Sequence, residues 1–448
     1  MENTEGGAEA RPVVSRAVPT HRSPWKALMK LMKRPLDELP KLAVEYPDAV
    51  KLGPVVLANN PAFVRHVLVE AGDNFVKKNR GMSVIRKAFG ENLLTTTDHT
   101  RWKNNRRLES ACFQARAIRD SYPAVERAIA ELLVKWRASS DGGTDLAADM
   151  TGLMLAINFS TLLGTSVNDH GGEHFLKAAT KVHEYLERQM SALVVTPPLF
   201  SAGRALRTVR ATVRKIIAMY EAGRSQPSDT LLELLIQSSK GAANGEKFVG
   251  NVCDEILVHL MPAYEASASL LTFFWYEIAR NPAVRLKIEN ELNAEFRGEA
   301  PTAEGIGRLS YLSCAVEEVL RLYPPVMLSR RALTDDAIGG YRIPAGAEVL
   351  MSPYAMHRNP RYWDDPECFQ PERHLDSGGR NRGLLIPFGT GKRVCMGNQM
   401  TRFQMKAAIA LIMQRCRFDL SEAFRMEQVV RVVIKSRNGL PVTVYWRN

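Results

Sequence analysis

Thirteen residues near the carboxyl end of the chain, PFGTGKRVCMGNQ (Pro387–Gln399), combine three glycines, two basic side chains and one cysteine. A phosphate-binding P-loop requires GxxxxGK followed by Ser or Thr, but Arg393 follows Gly391-Lys392 and Ile386 stands in place of the first glycine. A dinucleotide-binding loop requires GxGxxG, and its third glycine is missing here. Zinc requires three or four clustered Cys or His ligands. The loop therefore satisfies none of these three patterns.

What remains is a single cysteine placed just before a helical pattern. Apolar residues recur at helical spacing over Met400–Leu411, which predicts a helix that begins shortly after Cys395. Unpaired backbone N–H groups and the positive end of the helix dipole favour a thiolate there, and Lys392 and Arg393 add positive charge. The glycines allow the backbone to pass close beneath a flat group. A lone thiolate in such a loop suits one axial bond to haem iron, with Arg393 free to pair with a haem propionate.

The pattern Phe388-x-x-Gly391-x-Arg393-x-Cys395-x-Gly397 resembles the full haem-binding signature of the cytochromes P-450, the haem-thiolate monooxygenases. Every fixed position matches. The resemblance implies that these five residues form the haem-binding loop and that Cys395 is the axial thiolate ligand of the iron of haem b. A loop around a buried, inert cysteine is the alternative that an isolated cysteine would favour.

A second motif lies upstream, where CAVEEVLRLYPP places Glu318 and Arg321 three residues apart on one helical face. Alone, such a pair is usually exposed and contributes less than about 1 kcal/mol. It also resembles the ExxR motif of the family, and Arg373 in FQPERH lies where the third partner is usually found. The resemblance implies a buried structural triad of Glu318, Arg321 and Arg373 that locks the fold behind the haem and takes no part in the chemistry.

Two haem propionates require cations or hydrogen-bond donors. Trp102 and Arg106 match the WxxxR pattern of the family, and their four-residue spacing places the indole N–H and the guanidinium on one side of a helix. Arg330 stands where the family commonly has another propionate-binding arginine, although the adjacent Arg331 competes for that assignment. In a basic chain an arginine is most often a solvated surface residue, and only the motif positions distinguish these three.

The sequence departs from the family in the central helix, where [A/G]-G-x-[D/E]-T is replaced by PAYEA (262–266), followed by Ser267. The acid, Glu265, is retained, and Ala266 replaces the threonine. The spacing of Ala263 and Ala266 or Ser267 predicts a helix face whose side chains are small enough for the helix to pass over a porphyrin and leave room for dioxygen. The family threonine assists the protonation that splits dioxygen. Here the proton must come through ordered water, through Ser267 in a distorted helix, or from a hydroxyl of the substrate.

Glu265 is the candidate proton relay, and the alternative is that it pairs with a basic residue on the surface. Pro262 removes one helical hydrogen bond and frees the carbonyl near Val258, so a kink at that point would admit water. We therefore assign Glu265, Ala266 and Ser267 to the catalytic distal site and Ala263 to the haem contact.

The whole chain reads as an ordinary globular protein, because its 448 residues are 45% hydrophobic and 24% charged. Helical patterns dominate to about residue 300, including one helix of about 35 residues from Lys247 to Asn281. Short β segments follow at 340–351 and 429–446. We expect a mainly α fold with a minor β portion: a single large cytochrome P-450-type domain, residues 23–448, with the long central helix over the haem. Residues 1–22 are predicted to be a disordered leader. The resemblance covers roughly residues 35–446 and is strongest in the last third.

The six cysteines contain no CxxC pair, which argues against a disulfide framework and for a reducing compartment. No stretch reaches the roughly 18 to 20 uninterrupted apolar residues of a membrane span, and no secretory signal is seen. The basic, amphipathic stretch Trp25–Arg34 suits either a membrane surface or the start of the first packed helix. We expect a cytoplasmic protein without a transmembrane anchor, like the soluble bacterial members of the family.

The resemblance implies an enzyme that uses two electrons and O2, inserts one oxygen atom into a substrate and releases the other as water. Because no flavin or iron–sulfur motif is present, the electrons must come from a separate ferredoxin or flavodoxin-type donor with its reductase. A formal net charge of +12 suits an acidic partner, and Lys392, Arg402 and Lys406 form a plausible docking face. No nucleic-acid partner is expected. We expect the substrate site to be lined by residues 76–92, 191–202, 326–328 and the C-terminal hairpin. These segments are apolar on balance, which favours a lipophilic terpenoid, steroid or polyketide of secondary metabolism as the substrate.

Two alternatives remain open. A haem-thiolate isomerase, dehydratase or peroxide-using enzyme would tolerate the missing threonine and need no redox partner. The retained Glu265 argues against it, as does the absence of the Arg-Pro pair of peroxide-using members, since Met261 precedes Pro262. The other alternative is a non-catalytic haem-binding sensor, in which the distal pocket would be filled or ligated.

Overall fold

A computed structural model describes residues 16–139, 142–191, 200–223, 230–241, 250–375, 383–430 and 433–447. Its helices are Pro24–Lys33 (α1), Pro35–Glu45 (α2), Pro61–Arg65 (α3), Arg80–Phe89 (α4), His99–Glu109 (α5), Ala115–Asp120 (α6), Tyr122–Arg137 (α7), Leu146–Leu163 (α8), Gly172–Ser191 (α9), Phe200–Glu221 (α10), Leu231–Ser239 (α11), Val252–Arg280 (α12), Pro282–Phe296 (α13), Ala303–Arg308 (α14), Ser310–Leu322 (α15), Pro353–Met356 (α16) and Asn398–Arg415 (α17).

The strands are short: Arg16–Ala17 (β1), Ala49–Leu52 (β2), Val55–Ala58 (β3), Phe75–Val76 (β4), Gly143–Asp145 (β5), Leu328–Ala332 (β6), Asp336–Ile338 (β7), Tyr341–Ile343 (β8), Glu348–Met351 (β9), Cys416–Asp419 (β10), Gln428–Val430 (β11), Ile434–Ser436 (β12) and Pro441–Trp446 (β13). The largest sheet has five strands in the order β2-β3-β9-β6-β4. Only its β3–β9 pair is parallel. The expected mainly α fold with a minor β portion is confirmed.

The long central helix is α12, which spans 29 residues, or roughly 44 Å at 1.5 Å per residue. Its N-cap is Asn251, whose side chain accepts hydrogen bonds from the backbone N–H groups of Cys253 and Asp254. It ends before Pro282, as the sequence predicts. The predicted start at Lys247 lies outside the described residues, and the cap at Asn251 makes the helix shorter than expected.

Among the residues that the structure describes, two helices are long and apolar enough to cross a membrane by length and composition alone. They are α8 and α12, and in each most of the apolar window is buried inside the protein, 61% and 72% respectively. Both form part of the main hydrophobic core, where α12 packs along α8. Their apolar character is therefore used for packing within the fold.

The predicted disordered leader, residues 1–22, is wrong for its last third. Strand β1 pairs in parallel with β8, and Thr20 forms a β-bridge with Lys51. The Arg16 guanidinium also donates a hydrogen bond of 2.8 Å to the Tyr341 hydroxyl. Backbone pairing with a strand 325 residues away leaves no local hydrophobic pattern by which the sequence could reveal it. The remainder of the predicted leader, residues 1–15, lies outside the described residues.

Candidate active site

The loop that carries Cys395 is fixed by backbone hydrogen bonds. The Cys395 N–H donates to the Phe388 carbonyl at 3.1 Å, and the Val394 N–H donates to the Gly391 carbonyl at 3.1 Å. The Asn398 side chain donates to the Cys395 carbonyl at 2.7 Å as α17 begins. The thiol is therefore held at a defined position, directly before a helix, as the sequence predicts.

The Cys395 side chain is exposed, and yet the surrounding protein desolvates it. Burial raises the pKa of the Cys395 thiol, and a hydrogen bond from the Gly397 N–H and the charges of Lys77 and Arg106 offset this only in part. A side chain that is both exposed and desolvated faces an open space within the fold. The hydrogen bond and the positive charges expected at the helix start do lower the pKa of the thiol, but burial raises it by more. A metal ion would supply the rest, since coordination deprotonates a thiol.

Two glycines of the loop differ in how strictly their surroundings require a glycine. Gly391 has φ +74°, and a Cβ there would lie 2.0 Å from the Leu68 carbonyl oxygen. This glycine is thus required by close packing against the chain's own backbone, rather than by a flat group as expected. A Cβ on Gly397 would lie 4.0 Å from the Cys395 sulfur and 3.9 Å from the Phe113 ring, which is ordinary contact.

Four cations converge near the sulfur: Lys77, Arg106, Arg330 and Arg393. Burial lowers the pKa of all four, to about 7 for Lys77 and about 10 for Arg330 and Arg393. Repulsion from the other cations contributes to the lowered pKa values of Lys77 and Arg393, and the Glu109 carboxylate beside Arg106 offsets only part of the positive charge. Such a group of desolvated cations requires anions, and two propionates would supply them.

The arginines are held individually. Arg106 donates to the Val394 carbonyl at 2.7 Å, and Arg393 lies over the Trp102 ring, 4.0 Å from its centroid. Arg330 is only 8% exposed and donates to the Ser329 carbonyl at 2.8 Å. Arg331 instead has a side chain that is 42% exposed and lies 3.9 Å from Glu348. The structure thus favours Arg330 over Arg331 as the inward-facing cation.

Sequence reasoning missed Lys77. It follows β4 in the sequence FVKKN, which carries no motif. The charges of Arg330, Arg393 and Arg106 lower its pKa, and Cys395 raises it, so all four lie close enough to interact with it. No local signal could have identified this residue, because the groups that define its role lie between 29 and 318 positions further along the chain.

The middle of α12 has one open face. From Glu255 to Tyr276 every residue is buried except five at three-to-four spacing: His259, Pro262, Ala263, Ala266 and Ser269. We call these five residues the open stripe. The stripe is therefore the side of this part of α12 that neighbouring segments leave uncovered. The Phe113 ring, which also borders Gly397, lies 5.8 Å from the His259 ring. The stripe and the cysteine loop therefore approach the same region.

The structure does not place the other two distal residues on the open stripe. Ser267 is 3% exposed and lies on the buried side, and α12 is continuous through Pro262, so the expected route through Ser267 in a distorted helix is not supported. Glu265 is 7% exposed and contacts both His183 and Lys435. Burial would raise the pKa of the Glu265 carboxyl, but these two partners outweigh it and lower the pKa. Glu265 does pair with basic groups, as the alternative held, although not at the surface.

The three residues of the predicted structural triad meet. Glu318 accepts two hydrogen bonds of 2.8 Å from Arg321 and one of 3.0 Å from Arg373, and both Glu318 and Arg321 are fully buried. His374, at 2.8 Å, is a fourth member that the sequence did not reveal. Burial would raise the pKa of Glu318, but the hydrogen bonds from Arg321 and His374 hold it at about 2.

The basic docking face predicted for Lys392, Arg402 and Lys406 is largely neutralised within the chain. Lys392 lies 2.7 Å from Asp73, and Arg402 forms a two-pronged pair with Glu317. Lys406 donates to the Ser313 hydroxyl at 3.0 Å, and burial lowers its pKa. These cations attract an anionic partner less than their sequence positions suggested.

Three features fit one kind of group, a flat, dianionic metal cofactor with a thiolate ligand. They are the cysteine that faces an internal space, the converging cations, and the open helix face with small residues. The family model described as Cytochrome P450 matches residues 46–438 of the chain. The chain belongs to the cytochrome P450 family. It is accordingly a haem-thiolate monooxygenase with cysteine as the axial ligand of the iron.

Several relatives align along most of the chain. Cyclooctatin synthase of Streptomyces melanosporofaciens is 28% identical over 405 residues, 86% of each chain. Cyclooctat-9-en-7-ol 5-monooxygenase of the same organism is 28% identical over 410 residues, 87% of this chain and 86% of its own. Cytochrome P450 3A5 of Homo sapiens is 25% identical over 422 residues, 86% of this chain and 83% of its own.

Proposed function

We propose that this monooxygenase inserts one oxygen atom into a lipophilic, terpenoid-like molecule and takes its electrons from a separate ferredoxin or flavodoxin-type protein. The open stripe of α12 carries this proposal, because Pro262, Ala263 and Ala266 offer a small, apolar surface to a ligand. The names of two relatives, cyclooctatin synthase and cyclooctat-9-en-7-ol 5-monooxygenase, support the same class of substrate.

Haem, when bound, supplies the dioxygen chemistry, which an axial thiolate promotes. Cys395 would hold the iron, and Arg106, Arg330, Arg393 and Lys77 would hold the propionates. Each arginine is already oriented by a neighbour: Val394, Ser329 or the Trp102 ring. Such preorganisation lowers the entropic cost of binding the cofactor.

Proton supply has to differ from the family pattern, because Ala266 has no hydroxyl. We infer that ordered water or a hydroxyl of the substrate lies against Ala266, and that Glu265 carries protons toward it. Glu265 contacts Lys435, whose side chain is 31% exposed, so a polar contact runs from a partly exposed lysine to the residue next to Ala266. Separation of the ion pairs with Lys435 and His183 would free the carboxylate to accept a proton.

The electron donor would approach the side of the Cys395 loop. Helix α5 lies against that loop through the Arg106–Val394 hydrogen bond, and Lys103 and Arg107 of the same helix are exposed. An acidic donor is complementary to these charges. The six cysteines are all free thiols, which supports our proposal of a cytoplasmic, reducing location.

The test is a screen for spin-state shifts of the ferric protein against diterpene hydrocarbons, diterpene alcohols and polar compounds of similar size. We expect a shift with terpenoids only, and product formation with NAD(P)H, reductase and ferredoxin. The same assay tests the alternative that Ala266 suggested in the sequence, a haem-thiolate isomerase, dehydratase or peroxide-using enzyme. Turnover with peroxide alone, or without any oxidant, would support it. A protein that shifts with none of these compounds would fit a sensor.

A further inference from the structure

A second buried cluster lies at the seam between α5 and α12 and is not explained by haem binding. It consists of Glu109, Glu255 and His259, whose ligating atoms all lie within 4.8 Å of one another. Both glutamates are 0% exposed. Two carboxylates in such a position repel each other and lack solvation, so this arrangement demands a compensating charge.

One oxygen of each carboxylate has a partner. Glu109 Oε2 lies 2.7 Å from His259 Nε2, and Glu255 Oε1 accepts a hydrogen bond of 2.7 Å from the Leu93 N–H. The other two oxygens, Glu109 Oε1 and Glu255 Oε2, are buried without a hydrogen-bond partner among the described residues. A single proton placed between these two oxygens satisfies both and removes the repulsion.

We propose that Glu109, Glu255 and His259 form a site that holds one shared proton, and that its occupancy is coupled to the charge at the haem site. The cluster takes up one proton from solvent as one electron arrives from the redox partner. The charge of the proton then cancels the charge of the electron, so the protein and the haem site together gain no net charge. This is favourable because an uncompensated charge is costly in a buried region.

The coupling follows from where the cluster lies. Trp102, Arg106 and Glu109 occupy one face of α5 at helical spacing, so the cluster begins one turn beyond a haem-binding cation. His259 is the first residue of the open stripe and contacts the Phe113 ring. The cluster therefore adjoins the haem site from both helices.

Within the described ranges, few charged groups act on the carboxylate pair. Arg106 faces Glu109 from α5, His259 faces both glutamates from α12, and the segment after α4 contributes the backbone N–H of Leu93. Burial is the main cause that raises the pKa of each carboxyl to about 8, and the Glu109 charge contributes to the rise at Glu255. A hydrogen bond with Glu255 and the charge of Arg106 oppose the rise at Glu109, and His259 opposes it at Glu255. These shifts favour protonation of the carboxylate pair near physiological pH, and the titration belongs to the pair rather than to either glutamate.

The test is the midpoint potential of the haem as a function of pH in the substrate-free holoenzyme. We expect the wild-type potential to fall as pH rises around 8, by up to about 59 mV per pH unit for one proton per electron. Glu255→Gln keeps the acceptor for the Leu93 N–H and places an amide N–H where the proton would lie. We expect it to bind haem normally and to lose the slope.

The matched control is Glu277→Gln, which makes the same substitution at a carboxylate farther along α12, beside Tyr323. It should keep the wild-type slope. Infrared spectroscopy gives an independent readout, since wild type should show a protonated carboxyl band that disappears at high pH and is absent in Glu255→Gln. Glu109→Gln serves if Glu255→Gln does not fold. The proposal would be overturned if the wild-type potential did not change with pH, or if Glu255→Gln kept the same slope as the Glu277→Gln control. It would also be overturned if the protein contained a stoichiometric divalent metal besides iron.

Discussion

The Arg393 guanidinium lies over the Trp102 indole, 4.0 Å from the ring centroid. This contact joins two motifs that are 291 residues apart in the chain. It also holds a positive charge toward Arg106 and Arg330 against their repulsion. The indole thus positions one of the cations proposed to bind a propionate.

Replacing the indole should weaken haem retention. A cation–π contact in a partly desolvated site contributes about 0.5 to 2 kcal/mol, so we expect Trp102→Leu to speed haem loss by up to about thirtyfold, since 1.4 kcal/mol is tenfold. Transfer of haem to an acceptor protein measures this rate. Trp102→Phe, which keeps an aromatic face, should lie closer to wild type. Equal rates for all three would show that the contact does not retain haem.

The buried triad should dominate stability. Glu318→Gln leaves the fully buried Arg321 without its anion, and we expect a loss of about 3 to 5 kcal/mol in the free energy of unfolding. Denaturant unfolding monitored by circular dichroism measures it. The control is Glu317→Gln, the adjacent residue, which removes a half-buried pair with Arg402 and should cost about 1 kcal/mol or less. Similar losses in both variants would contradict the role of the triad.

Two sets of buried carboxylates should give pH dependences of opposite sign. Glu318 has a pKa of about 2 in the folded protein, so its stabilisation is present above about pH 4.3 and is lost as the pH falls toward 2. Glu109 and Glu255 have pKa values raised to about 8. Their protonation therefore stabilises the folded state most below about pH 4.3, and this stabilisation decreases as the pH rises toward 8. Unfolding measured from acid to mildly basic pH should therefore show a smaller alkaline decline in Glu255→Gln than in wild type. An identical decline would contradict the raised pKa values.

The distal alanine should limit coupling when the substrate lacks a hydroxyl. Ala266→Thr adds a donor on the open stripe, and we expect less peroxide per NAD(P)H consumed with hydrocarbon substrates and little change with hydroxylated ones. Ser267→Ala, on the buried side of α12, should leave the ratio of peroxide to product at the wild-type value. If Ser267→Ala raised peroxide release and Ala266→Thr did not lower it, our account of the open stripe would be wrong.

The sequence predicts those parts of the site whose residues lie close together in the chain. The Cys395 loop and the Glu318–Arg321 pair are such cases, because a turn or a helix brings their members together directly. It does not predict contacts that only packing creates. His183 meets Glu265 across 82 positions, His259 meets Glu109 across 150, and Leu93 meets Glu255 across 162.

The same distinction holds for the fold. The central helix was predicted from its periodicity and from Pro282, and only its start was displaced by the cap at Asn251. The edge strand β1 was missed, because its partner β8 lies more than 300 residues away. The sequence leaves open whether Ala266 or Ser267 lies on the open side of α12, because spacing alone cannot decide which of two adjacent residues faces that side.

The central claim is that Cys395 is the axial ligand of the iron. X-ray absorption at the iron edge of the purified ferric protein tests it most directly, together with Cys395→Ala and, as a control, Cys112→Ala. We predict one iron–sulfur distance in wild type and in Cys112→Ala, and none in Cys395→Ala. An iron shell of nitrogen alone in wild type, or a sulfur ligand that persists in Cys395→Ala, would contradict it.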